Sequence, residues 1–458
     1  MSKLRLAIVG AGPAGIYAAD LLIKSELRDF DVSIDLFDLL PAPYGLVRYG
    51  VAPDHPRIKG IIRALYEVLD RGDIRFFGNV QYGKDITLDE LKQHYNAVIF
   101  ATGAVKDADL NIPGIDLEGS FGAAEFVNWY DAHPDFARTW PLNAKEVAVI
   151  GNGNVALDVA RVLAKLPEQM LATDIPANVY EGLKASPVTD VHVFGRRGPA
   201  QVKFSPLELR EALHIEGVQS IAYDEDFQYD EGSQAAIDSN NQVRVMVKTL
   251  EDLRENPQEP QERRLHLHFF ASPVEVLGED GKVVGLKVQR TKLDGTGNVT
   301  PIDEFETFPV QAVYRAVGYF GSAVDEIPFD SKYGVIRNSE GRVLDDGGKQ
   351  IPGVYCTGWI KRGPVGLIGH TKSDATETIE NLIADLDQLV DPATPDSAEL
   401  LATLDDRGVK YTNWQGWLAL NEYELALGAA DTSHVERERV KVVDREEQVE
   451  ISRTGAAV

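Results

Sequence analysis

Cysteine is almost missing from this chain: Cys356 is the one thiol among 458 residues. That excludes an intramolecular disulfide, a Cys-x-x-Cys redox pair, a thiolate-held iron–sulfur cluster and a cysteine-ligated zinc. A reducing compartment suits such a chain, and the cytoplasm is the expected location. Long apolar runs are missing too. Nothing approaches the roughly 18 residues that a membrane-spanning helix needs. A strand-like stretch starts by residue 4, so neither a signal nor a transit peptide is expected. Basic residues are in deficit, 46 against 72 acidic, for a formal charge of −26. Such a balance disfavours nucleic acid and anionic membranes as partners. An acidic protein partner would have to meet a local basic patch against the general field. The length allows two or three domains with sizeable cores.

Two glycine-rich turns stand out. The first, Gly10-Ala11-Gly12-Pro13-Ala14-Gly15, follows the apolar stretch 4–9. The second, Gly151-Asn152-Gly153-Asn154-Val155-Ala156, follows the apolar stretch 147–150. In G-x-G-x-x-G/A the first glycine makes a tight turn and the second lets backbone approach a pyrophosphate. The small third residue lets the helix pack close to its strand. The phosphates then sit at the positive helix N-terminus. One such motif is weak; two, each between a strand and a helical pattern, point to two dinucleotides and to electron transfer between them.

The rest of the chain reads as a doubly wound α/β protein. A helix is expected over 13–24 and a strand over 32–37 ending at Asp38, whose carboxylate suits adenosine ribose hydroxyls or simply begins a turn. Residues 41–59 form a Pro- and Gly-rich loop without regular elements. Residues 97–104 are a buried strand with a small-residue exit. An insertion broken by Pro167, Pro176 and Pro187 spans 166–190. Residues 242–290, including Val243–Val247 and His266–Phe270, alternate like a meander. Residues 354–359 read as a strand, 371–387 as a helix, and the charged stretch beyond about 430 as extended or partly disordered. The expected domains are 1–104, 105–320 inserted into the first, and 321–458. Arg196 and Arg197 follow the second unit's next strand, where an acid would select NAD. Two guanidinium forks suit a 2′-phosphate, so the second site reads as NADP. The alternative is a solvated basic turn.

Further segments recur in order: 44–56 (Tyr44 to Pro56), 151–161, Gly195-Arg196-Arg197-Gly198, and Thr357-Gly358-Trp359-Ile360-Lys361-Arg362-Gly363-Pro364. With the first turn, they make residues 4 to about 425 resemble the ferredoxin–NADP reductases of the adrenodoxin reductase type. The resemblance implies two Rossmann-like domains, with FAD in the first and NADP(H) in the second. It also implies hydride transfer from nicotinamide to flavin and single-electron export to an iron–sulfur ferredoxin. The implied FAD contacts are Gly10, Gly12, Pro13, Ala14, Gly15, Asp38, Gly45, Leu46, Trp359, Gly366, Leu367 and Ile368. The implied NADP contacts are Gly151, Asn152, Gly153, Asn154, Val155, Arg196, Arg197 and Glu211, with Trp359 and Gly366 shared. His55 and Asp158 match positions where family members are thought to support hydride or proton movement. Glu211 would meet the nicotinamide ribose.

A chain without cluster-binding cysteines must pass its electrons on, here to a ferredoxin that could feed a cytochrome P450 or similar acceptor. No metal site, nucleic acid or membrane is expected, and the chain reads as a monomer. His370 either meets flavin phosphate or begins a helix; Cys356 reads as a small buried hydrophobe. Residues 411–417 read as core packing. Arg57-Lys59-Arg63, Arg263-Arg264 and Lys361-Arg362 are the basic clusters available for docking. Competing readings are an electron-input subunit of a larger NADPH-dependent complex and a non-catalytic NADPH-sensing module.

Overall fold

The computed structural model describes residues 3–26, 30–366, 368–433 and 435–455, apart from the side chains of Ile368, Gly369 and Ser397. The chain divides into two compact units. The first comprises Met1–Val51, His55–Lys106 and Tyr319–Val458; the second comprises Ala52–Asp54 and Asp107–Gly318. The second therefore interrupts the first in chain order. Ala52–Asp54, three residues from the middle of the 41–59 loop, belong to it as well, because Ala52 is buried in its core.

The first unit is built on a sheet whose five central strands are parallel. Their order is Gln350–Cys356, Ala97–Phe100, Lys3–Val9, Asp31–Phe37, Ile74–Phe77. A hairpin, Asn338–Ser339 and Arg342–Leu344, adds antiparallel strands at one edge. Strand Lys3–Val9 lies mid-sheet and is covered on both faces, which is why it reads as a continuous apolar run rather than an alternation. The helix Pro13–Lys24 follows it, packed against Ile368–Ala384. Proline at the first helical position costs nothing there, since that amide would have no helical partner. The C-terminal stretch departs from expectation. Arg445–Gly455 is a helix packed on Trp414–Ala429, with Gln448, Val449 and Ser452 buried.

The second unit has a six-stranded parallel sheet. Its order is Ser120–Gly122, Ala312–Arg315, Glu146–Ile150, Asp190–Phe194, Arg263–His268, Val218–Ala222. An antiparallel meander, Ala271–Glu279, Lys282–Leu293 and Val299–Phe308, is attached. The doubly wound α/β expectation holds, with two local corrections. His266 and His268 lie in the parallel sheet, not in the meander. Val243–Val247 is helical, within Asn241–Glu255. The side chain of Asn240 accepts hydrogen bonds from the amides of Gln242 and Val243, capping that helix. Burial of Met246, Leu250 and Leu253 follows the helical period rather than the two-residue one. In the 166–190 insertion Pro167 opens the short helix Pro167–Met170 and Pro176 caps Ala177–Ala185, so these prolines start helices instead of breaking them.

Candidate functional site

In the first unit the glycine turn is assembled without room for side chains. Gly10 has φ +113°, and a Cβ there would lie 2.4 Å from the Ala101 carbonyl oxygen. A Cβ on Gly15 would lie 2.0 Å from the Gly10 oxygen. Gly12 begins the helix with no side-chain cap, leaving its first amides free to face an anion. Two further segments close on this turn. Gly45, at φ +50°, has room for a Cβ only 3.0 Å from the Gly12 Cα. Gly358, at φ +76°, would place one 2.6 Å from the Ala14 Cβ. The Gly358 amide donates to Asp374, as does the Thr357 hydroxyl, so a helix carboxylate holds this segment in place. Lys361 is buried and paired with the same Asp374 at 3.0 Å.

Asp38 accepts from the amides of Ala11 at 2.6 Å and Leu40 at 2.8 Å. Burial pushes its carboxyl up to about 6, opposed by those two amides. It thus serves the turn, and an ionised carboxylate has lone pairs left for further donors. Leu46 opens the one-turn helix Leu46–Tyr49, and His55, buried, precedes another, Pro56–Lys59. The 41–59 loop is therefore less irregular than expected. Trp359 is half-buried, its ring 6.3 Å from that of Tyr319. Gly366, at φ +86°, would set a Cβ 3.0 Å from the His370 ring. Leu367 lies outside the described residues, and of Ile368 only the backbone, as the first helical residue, is described.

The second unit repeats the device. A Cβ on Gly151 would lie 2.2 Å from the Ala316 oxygen, and Gly153 begins the helix Asn154–Ala164 with open space before it. Val155 and Ala156 continue the first turn of that helix. Residues 203–205 are strapped alongside the turn: the Lys203 amide donates to the Asn152 carbonyl and the Ser205 amide to the Asn154 side chain. Arg196 is exposed and Arg197 half-buried; neither guanidinium has a hydrogen bond or ion pair among the described residues. Asp158 is buried one turn into the helix, 3.0 Å from Arg161.

Arg161 is a centre the sequence did not announce. Its side chain is 1% exposed and grips Asp54 with two bonds, 2.7 and 2.9 Å, while also facing Glu208 at 3.4 Å. Lys165 joins at Asp54. Burial pushes the Asp54 carboxyl up, but Arg161 and Lys165 more than offset this and hold it below its ordinary value. Glu208 is the acid of its helix that is turned into this cluster. Glu211, one turn on, lines an open cavity of about 520 Å³ with Asp54, Lys165, Arg210 and His214. The legible signal was Ser205-x-x-Glu208: the Ser205 hydroxyl accepts from the Glu208 amide at 3.2 Å, fixing where the helix starts.

These features decide kinship. NADPH-ferredoxin reductase FprA of Mycobacterium tuberculosis is 39% identical over 443 residues, covering 93% of this chain and 95% of that protein. The chain belongs to the ferredoxin–NADP reductases of the adrenodoxin reductase type. Human mitochondrial NADPH:adrenodoxin oxidoreductase is 37% identical over 465 residues, covering 98% of this chain and 91% of that one. The solved structure of Mycobacterium tuberculosis FprA in complex with NADPH superposes with a TM-score of 0.89 at 38% identity, covering 98% and 99% of the two chains. Residues 4–185 match the pyridine nucleotide-disulphide oxidoreductase family model. In this reductase the disulfide chemistry of that wider family has no residues to work with, because Cys356, the only cysteine, is fully buried.

The expected docking clusters are partly spent internally. Arg264 is bidentate to Asp190 at 2.6 and 2.9 Å, Arg263 donates to the Lys165 carbonyl, and Lys361 is buried. Arg57 and Arg63 stay exposed. A cluster with metal-like composition also occurs in the second unit, where nitrogens of His192, His266 and His268 lie within 4.8 Å of one another. Its geometry is wrong for one ion. The His192 and His266 rings stack 4.2 Å apart at 12°, so their lone pairs lie in nearly parallel planes and do not converge on a tetrahedral centre. His266 spans Asp190 (2.9 Å) and Tyr223 (2.7 Å), while His192 bonds His268 at 3.0 Å. It is a hydrogen-bonded ladder of neutral imidazoles.

Proposed function

We propose that this reductase takes hydride from NADPH onto FAD and hands the electrons singly to an iron–sulfur ferredoxin. The observation that carries the reading is the pair of glycine turns, one per unit, each opened by a glycine at which no Cβ fits, on a chain with no cluster-binding cysteines of its own. FAD, when bound, supplies an acceptor that takes two electrons as hydride and releases them one at a time. Gly10, Gly12, Pro13, Ala14 and Gly15 would cradle its pyrophosphate and Asp38 its ribose. Gly45, Leu46, Trp359, Gly366, Leu367 and Ile368 complete the proposed contact set. Gly151, Asn152, Gly153, Asn154 and Val155 would hold the NADP pyrophosphate, and the two unpaired guanidinia of Arg196 and Arg197 its 2′-phosphate. His55 and Asp158 are the proposed positioning and proton-handling groups, and Glu211, which lines the open cavity beside Asp54, is the proposed contact of the nicotinamide ribose. A monomer acting in the cytoplasm and feeding a cytochrome P450 or similar acceptor through the ferredoxin belongs to the same reading.

The test is an anaerobic titration of the purified protein, following visible flavin absorption. Bleaching by stoichiometric NADPH, with NADH far less effective, is expected. A colourless protein, or a yellow one that neither nucleotide bleaches, would overturn the proposal in favour of a sensing module.

A further inference from the structure

Lys203 is a cation with no assigned work. Its side chain is exposed and has no hydrogen bond or ion pair among the described residues, in a chain carrying 26 net negative charges. The Lys203 amide donates to the Asn152 carbonyl at 2.9 Å, in the middle of the Gly151–Gly153 turn. Two residues on, the Ser205 amide donates to the Asn154 side chain at 2.8 Å, at the first residue of the helix. The backbone of residues 203–205 is thereby fixed beside the turn, which brings the Lys203 ammonium within reach of an anion at the helix N-terminus. Arg196 and Arg197 instead follow the end of strand Asp190–Phe194, where the ribose end of a dinucleotide lies.

We infer that Lys203 is a third phosphate-binding cation of the second site, acting on the pyrophosphate of the nicotinamide dinucleotide rather than on its 2′-phosphate. The inference rests on the dinucleotide reading above. A charge-assisted bond from an ammonium supplements the helix N-terminus, whose partial charge alone is modest. It also changes what sets specificity. Arg196 and Arg197 would discriminate NADP from NAD, whereas Lys203 would tighten both alike. Its contribution would fall as salt rises, because an exposed ammonium is screened within about a Debye length of 8–10 Å.

The experiment is equilibrium binding by calorimetry to the flavin-loaded protein, comparing wild type, Lys203→Met and Lys203→Arg. The probes are NADP+, which carries both phosphate groups, and adenosine 2′-monophosphate, which carries only the ribose phosphate. Lys203→Met keeps the apolar stem, so the fold and flavin content should be unchanged. We expect about a tenfold weaker Kd for NADP+, corresponding to a charged hydrogen bond, with adenosine 2′-monophosphate unaffected. The salt dependence of NADP+ binding should become shallower, and Lys203→Arg should restore most of the affinity. Equal weakening of both probes would move the lysine to the 2′-phosphate and overturn the inference; so would unchanged NADP+ binding. Failure of wild type itself to bind NADP+ would instead overturn the dinucleotide reading on which the inference stands.

Discussion

At Gly15 an added Cβ would strike the Gly10 carbonyl oxygen, whereas the same position of the second turn is occupied by Ala156, buried without conflict. One methyl group thus separates the two motifs, and the reason is how closely each helix lies on its strand. Gly15→Ala should cost about 1–3 kcal/mol through overpacking and yield flavin-depleted protein, read by the absorbance ratio of flavin to protein. Ala156→Gly should cost only about 1 kcal/mol, the ordinary helix penalty of glycine, with flavin content unchanged. Equal losses in both variants would contradict the contrast. A second residue-scale prediction concerns Arg161. Replacing it by methionine takes the shared guanidinium away from three carboxylates, Asp54 (which keeps Lys165), Asp158 and Glu208, whose side chains are at most 11% exposed. Breaking such a buried network typically costs about 3–5 kcal/mol. Urea unfolding should show that loss, and adding Asp54→Asn should recover part of it. Additive losses would mean that Arg161 acts by packing alone.

Among the elements, the adjacent parallel strands Asp190–Phe194 and Arg263–His268 carry an unusual load, three stacked imidazoles on one sheet face. Burial holds His192 down to about 3 and His268 down to about 2, and lowers His266 as well. The unfolded chain would protonate all three near pH 6.5, while the native state refuses the protons. The ladder's contribution to stability is therefore fully present above pH 6.5 and is lost as pH drops below it, by about 2 kcal/mol at pH 5 for each of His192 and His268. Urea midpoints measured at pH 7.5 and pH 5 should differ accordingly. His268→Phe, set between Phe194 and Phe308, should shrink that difference by about 2 kcal/mol, the share of one imidazole. A variant with the full wild-type pH dependence would show that the ladder does not set it.

For the molecule as a whole, sequence separation is the notable property of the contacts. The first unit's sheet joins strand Gln350–Cys356 to Ala97–Phe100, with the second unit's 107–318 stretch between them in the chain. Arg48, in the loop that meets the first glycine turn, is bidentate to fully buried Glu424 at 3.0 and 2.5 Å, 376 residues away. The Val442 amide donates to Glu424 at 3.0 Å, and the Lys441 ammonium donates to the Arg48 carbonyl at 2.8 Å. Removing residues after Ala430 would expose that ion pair and the face of Trp414–Ala429 that Arg445–Gly455 covers. We expect Tm to fall by more than about 4 °C, corresponding to 1–2 kcal/mol for a unit of this size, and flavin to be retained less tightly. An unchanged Tm with full flavin content would show that the closing helix stabilises nothing.

Local physics made much of this legible beforehand. A G-x-G turn between an apolar strand and a helix is dictated by short-range sterics, so Gly10–Gly15 and Gly151–Ala156 declared their geometry in sequence. Burial on both sheet faces made strands 4–9 and 147–150 read as apolar runs. A lone cysteine excluded whole classes of redox chemistry. What the sequence could not rank was choices between equivalent residues. Glu208 and Glu211 lie on one helix, and only the position of Arg161 selects the first for the interior. Val243–Val247 has strand-like composition, and only the core contacts of Met246, Leu250 and Leu253 make it a helix. Asp374 gave no signal at all, because its partners, the Thr357 hydroxyl and the Gly358 amide, become partners only when the strand exit and the helix are brought together. The sequence by itself determined the turns and strands, whose causes lie within a few residues. Tertiary structure decided which charges are buried and paired, because that depends on groups tens to hundreds of residues apart.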